Sequence, residues 1–122
     1  MNTLPDKLLA DAATGSRQAQ QLNLTAEALS VLLLHARVIA LAADNGDHWL
    51  AADIACLRSQ KPCIPLPHFF TPAQNRWAVD SAGVDALLTD QPALPQWQAL
   101  GFTVAQGAVG KLTCLLRAAP VV

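Results

Sequence analysis

The sequence predicts an α/β domain: a mostly parallel sheet flanked by helices, a three-layer, Rossmann-like arrangement in partial form. Three observations predict it. Short apolar runs alternate along the chain with longer segments of helical periodicity, the pattern of βαβ units joined by right-handed crossovers. The apolar runs lack the polar alternation of half-exposed strands, so they read as strands buried on both faces. Turn formers punctuate the boundaries: Asp44-Asn45-Gly46-Asp47, Pro62, Gly83 and Gly101.

Taken in order, residues 1–22 read as a frayed or helical leader with Gly15-Ser16 as a break, and 23–122 as the domain itself, all within a single unit of 122 residues. Thr25 is the expected N-cap of the first full helix, with Glu27 in its first turn. Leu29, Leu32, Leu33 and Ala36 then form one apolar face at helical spacing. Val38 to Ala43 is the first strand, closed by the Asp-Asn-Gly-Asp turn. Asp47 is expected to cap a helix over residues 48–59, whose apolar surface comes from Trp49, Leu50, Ile54 and Leu57.

Cys63 to Leu66 is the second strand, with Pro65 and Pro67 limiting its ladder hydrogen bonds. Thr71, Pro72 and Gln74 form a capping box with proline at the first helical position, and Gly83 ends that helix. Ala86 to Thr89 is a third strand, Pro95 to Leu100 a short helix closed by Gly101, and Phe102 to Ala105 a fourth strand. Leu112 to Leu116 is the last, after a turn at Gly107 and Gly110.

Composition narrows the function classes. A formal net charge of -1 gives no footprint for nucleic acid or an anionic membrane. Hydrophobic residues make up 52% and charged residues 14% of the chain, against about 25% charged in ordinary soluble domains. A small domain needs more charge than average, so the deficit points to a covering partner, a self-association surface or the rest of a larger enzyme; an alanine-rich coding bias is the alternative. No apolar run reaches the roughly 18 residues of a membrane span, and the polar N-terminal stretch lacks a signal-peptide core. Three cysteines, an odd number, in apolar contexts fit reduced thiols rather than a disulfide framework. The expected location is the cytoplasm.

No constellation of catalytic, cofactor-binding or metal-binding residues emerges. Gly107-Ala108-Val109-Gly110-Lys111-Leu112 fails as a phosphate loop, because two residues separate its glycines and Leu112 replaces the Ser/Thr. The turn at 44–47 is acidic and would repel a phosphate, although backbone amides at the next helix start remain available. His48, Cys56, Cys63 and His68 have seven, six and four residues between neighbours, with His35 further off, unlike the close pairs of zinc sites. Cys56, Cys63 and Cys114 read as inert core thiols rather than nucleophiles. Asp44, Asp47, Asp80, Asp85 and Asp90 sit at element boundaries, where carboxylates set turns. Phe69 and Phe70 follow a strand at its carboxyl end, where open α/β sheets bind ligands. They line a pocket or an interface, or else seat the turn against the next helix.

The words from Val38 onward resemble the large N-terminal domain of AMP-forming acyl-CoA synthetases, in the adenylate-forming superfamily. The likeness rests on Val38-Ile39-Ala40-Leu41 with Asp44-Asn45-Gly46, then Trp49 to Leu57, Ile64-Pro65-Leu66-Pro67, Phe69-Phe70, Thr71-Pro72-Ala73-Gln74 and Ala82 to Asp90. It covers roughly the middle half of the chain. It implies ATP-dependent activation of a carboxylic or fatty acid and acyl transfer to CoA or a carrier protein, with ATP, Mg and CoA serving the complete enzyme. Ser59-Gln60-Lys61-Pro62 replaces the family's small-Gly turn, and the chain ends at Val122, where the Ser/Thr/Gly-rich phosphate loop would be expected. The resemblance therefore implies an inactive scaffold segment with the remainder of a synthetase as partner. The alternative is a free-standing, oligomeric binding or interaction module.

Overall fold

The computed structural model describes residues 6–44 and 46–118. Its order is α1 (Asp6–Leu32), β1 (Ile39–Ala42), α2 (Asp47–Arg58), β2 (Cys63–Pro65), α3 (Pro72–Ala82), β3 (Ala86–Thr89), α4 (Pro95–Ala99), β4 (Thr103–Val109) and β5 (Leu112–Leu116). One sheet in the order β2-β1-β3-β5-β4 holds all five strands. The class is mixed α/β, an open sheet flanked by helices.

Parallel pairing is confined to one half. Ile39 of β1 lies opposite Cys63 of β2 and Ala86 of β3, both in parallel register. β5 runs antiparallel to β3 and to β4, so the expectation of a mostly parallel sheet is corrected. The cause is a two-residue connection: Val109 pairs directly with Leu112 across Gly110-Lys111, and Gly110 turns at φ 59°. Chain reversal that tight permits only an antiparallel neighbour. Gly107 lies within β4 rather than in the turn, and β4 bulges between Val104 and Ala108.

Side-chain alternation sends successive strand residues to opposite faces. Ile39, Leu41, Ala86 and Leu88 pack with Ala51, Ala55 and Cys56 of α2 and Leu29 of α1. Ala40 and Leu87 pack on the other face with Val79 of α3 and Trp97 of α4. β2 and β3 flank β1 on opposite sides, and right-handed crossovers in opposite directions place α2 and α3 on opposite faces. All four residues of β3 are buried, as its central place demands.

The first helix runs unbroken from Asp6 through Gly15-Ser16 to Leu32, which corrects the leader break and the Thr25 cap. A cap residue must leave helical geometry. Thr25 instead donates its hydroxyl to the Gln21 carbonyl, 2.9 Å away, the back-bonding of a residue inside a helix. At the other end Lys61 Nζ donates to the Leu33 and Leu34 carbonyls, satisfying groups at and just beyond the C-terminus of the helix.

In α2 the helix starts at Asp47, with Gly46 in the cap position and no side-chain cap. Its buried face is Ala51, Ala52, Ala55 and Cys56, whereas Leu57 is 78% exposed. Trp49 and Ile54 of the expected face pack against the same cluster, while small residues let the helix approach both α1 and the sheet, leaving the larger Leu50 and Leu57 outside. After α2 the chain passes Gln60 at φ 57°, a left-handed conformation that glycine adopts without a Cβ penalty.

The capping box of α3 is fully formed. Thr71 Oγ1 accepts from Gln74 N at 3.1 Å and Gln74 Oε1 accepts from Thr71 N at 2.8 Å, and Gly83 closes the helix at φ 69°. Thr71→Ala is expected to lower stability by about 1 kcal/mol, read by urea denaturation; a change below about 0.3 kcal/mol would show the cap to be energetically idle.

Two side chains tie elements together. Asp85 accepts from the backbone N–H of Arg37 and of Val38 at 3.0 and 3.1 Å, fixing the start of β1 beside β3. Arg117, its side chain only 6% exposed, donates from Nε to Val84 O and from its two terminal nitrogens to Leu100 O, Val79 O and the Asp80 carboxylate. Its guanidinium also lies 4.8 Å from the Phe102 ring centre. Among the described residues, no helix is long and apolar enough to cross a membrane.

Candidate functional site: a crevice at the switch point of the sheet

The loop leaving β1 leads to α2 on one face, and the loop leaving β3 leads to α4 on the other. Between two such strands the connections diverge and leave a crevice beyond the carboxyl ends, the usual ligand position in open α/β sheets. A cavity of about 100 Å³ opens there. Its rim carries Asp44 after β1, His68 after β2, and Asp90 and Gln91 after β3. Leu66, Phe70, Leu94 and Trp97 form apolar walls, and Asn75 and Gln96 meet on the α3 and α4 side.

The polar groups are held by specific bonds. Thr89, 1% exposed, accepts from Gln91 N at Oγ1. The Trp97 indole donates to Gln91 O at 3.0 Å, locking the loop after β3 onto α4. The Asp44 backbone N–H reaches Asp90 Oδ2 at 3.4 Å, drawing the two carboxylate-bearing loops together. Asn75 is 4% exposed and donates Nδ2 to Gln96 Oε1 at 2.8 Å. Its Oδ1 has no partner among the described residues, although burial without a hydrogen bond costs about 1–3 kcal/mol.

Comparison with family models, curated proteins and solved structures finds no match to this chain. The site is therefore read from its own chemistry.

A nucleotide phosphate does not fit this crevice. Two carboxylates stand at its rim, and among the described residues neither lysine nor arginine lines it. The ATP and CoA chemistry implied by the resemblance finds no phosphate-binding cradle here, and no step through these groups is derived.

The aromatic pair divides. Phe70 is half-buried and lines the crevice, whereas Phe69 is 72% exposed and stacks edge-on with Phe70 at 5.5 Å between ring centres. Trp77, on the outer side of α3, is 75% exposed. Of the metal candidates, His68 sits at the crevice, while Cys56 and Cys63 pack in the cluster on the opposite face. Among the described residues, no three His, Cys, Asp or Glu side chains gather in a way that could hold a metal ion.

The thiols differ in environment. Cys56 and Cys63 share a side-chain hydrogen bond that lowers the pKa of Cys63 and, with burial, raises that of Cys56. Burial pushes the Cys114 thiol up to about 11. The thiolate is the nucleophile, so iodoacetamide at mildly alkaline pH is expected to alkylate half-buried Cys63 at least about tenfold faster than Cys114 in the folded protein. Peptide mass spectrometry reads the order, and Cys114 reacting first would contradict it.

Sequence reasoning pointed to the strand ends and to Phe70, but missed Asn75, Gln96, Thr89 and Gln91. Asn75 carried a usable signal: it stands four residues before buried Val79 on α3, a polar residue on an apolar stripe.

Proposed function

We propose that this chain is the opening α/β segment of an AMP-forming acyl-CoA synthetase-like ligase, a scaffold for an enzyme that activates a carboxylic or fatty acid with ATP and passes the acyl group to a thiol. The observation that carries the reading is the order in which the synthetase-like words fall on the fold. The phrase at 38–41 falls on β1, Trp49 to Leu57 on α2, the Ile-Pro-Leu-Pro phrase on β2 and the turn after it, the Thr-Pro-Ala-Gln phrase on the start of α3, and the words at 82–90 on β3. Gln60 supports it as well, since its left-handed backbone stands where the family uses a small-Gly turn. On this reading the two helical faces form a three-layer, Rossmann-like partial domain working in the cytoplasm, and the remainder of the synthetase covers its outer apolar side chains.

The segment supplies scaffold and no catalytic group, so it is inactive alone and self-associates when its partner is missing. Two measurements test this. The coding sequence downstream of Val122 should encode a Ser/Thr/Gly-rich loop with a lysine, and the purified chain should release no pyrophosphate from ATP with a panel of fatty acids. Pyrophosphate release, or a downstream sequence without that loop, overturns the proposal. One feature favours a second reading, a free-standing binding module without catalysis: the crevice with its unpartnered Asn75 carbonyl.

A further inference from the structure

We propose that the crevice between the carboxyl ends of β1 and β3 binds a small organic cation, a primary ammonium or guanidinium on a short apolar body. The inference is independent of the ligase reading, because it rests on side chains that the resemblance does not use.

Asn75 is the central recognition group. Asn75 donates from Nδ2 to Gln96 Oε1, and its buried Oδ1 is left without a partner among the described residues. Two neighbouring donors are already committed. The Trp97 indole N–H is committed to Gln91 O, and Gln91 N is committed to Thr89 Oγ1. A ligand N–H would complete this acceptor.

Charge then selects its sign. Asp44 and Asp90 stand at the rim, bridged by the Asp44 backbone N–H, with no lysine or arginine among the described lining residues. Two carboxylates so placed favour a cation and accept charge-assisted hydrogen bonds from it. An anion would meet repulsion at the rim and an acceptor on the inner wall.

Size and shape set the rest. A cavity of about 100 Å³ admits roughly half a dozen heavy atoms, judged by the space one water needs. Leu66, Phe70 and Leu94 offer apolar contact for a short hydrocarbon body. n-Butylammonium and ethylguanidinium match these demands, and butyrate is of similar size with the opposite charge.

The test titrates the intact, ¹⁵N-labelled chain with each of these three compounds. The Asn75 side-chain amide and the Trp97 indole N–H are the reporters. Saturable shifts at both are expected with at least one cation and none with butyrate. The D44N/D90N double variant should bind that cation at least about tenfold more weakly, with an unchanged Tm. Asn75→Leu should abolish saturable binding; if that variant fails to fold, the carboxylate variant alone decides. Shifts that do not saturate, equal responses to butyrate and the cations, or wild-type affinity in D44N/D90N each overturn the proposal.

Discussion

Arg117→Leu is expected to cost the domain about 3–5 kcal/mol, seen as a fall in Tm of roughly 10–25 °C. The side chain is 6% exposed and supplies donors to three carbonyls, those of Val79, Val84 and Leu100. Val79 and Val84 flank the C-terminus of α3, and Leu100 closes α4. One planar fork thus stitches both helix ends to the chain leaving β5, and no apolar substitute can replace its donors. The ion pair itself contributes little. Asp80 is 42% exposed on its side chain, where water solvates the carboxylate, so Asp80→Asn should cost under about 1 kcal/mol. Arg117→Lys should fall between the two, since a single ammonium cannot reach every acceptor. Urea denaturation of the three variants checks the order; an Asp80→Asn loss equal to that of Arg117→Leu would move the weight from the carbonyls to the ion pair.

Leu87→Ala is expected to cost about 2–5 kcal/mol through lost burial and the cavity left behind. Leu87 is completely buried on β3 and packs against Val79, Trp97 and Phe102 from the helix side of its cluster. Leu57→Ala removes the same atoms from a residue 78% exposed and should change stability by less than about 0.5 kcal/mol. Equal losses at the two positions would mean that Leu57 is covered in solution, as self-association through the outer face of α2 would require.

What the sequence made legible was local. The α3 capping box is spelled within four residues, and its two reciprocal bonds form as expected. β1, β2 and β3 were readable because their apolar runs end at strong turn formers. Three features were not legible. Thr25 suits a cap or a helix interior, and only the continuing turns of α1 decide which of its hydrogen bonds forms. On α2 both an alanine stripe and a leucine stripe are apolar enough to bury, and the closeness of α1 favours the smaller one. The antiparallel direction of β5 depends on a two-residue connection, which an expected turn beginning at Gly107 obscured. The crevice was legible only by position: Asn75 meets Gln96 across 21 residues of chain, a pairing that local pattern cannot contain.

The three-residue β2 has one further consequence, for the direction in which this sheet can grow. Leu66 donates its N–H inward to Leu41 O, and backbone donors alternate sides along a strand. The donors at 65 and 67 would therefore point outward, and both positions are proline, which has no N–H. On that margin only Cys63 can offer a hydrogen to an incoming chain. β4 is longer and carries its own amides, interrupted by one bulge. Extension by a further strand, from this polypeptide or another, is thus admitted beside β4 and refused beside β2: the sheet is built to be lengthened at one end.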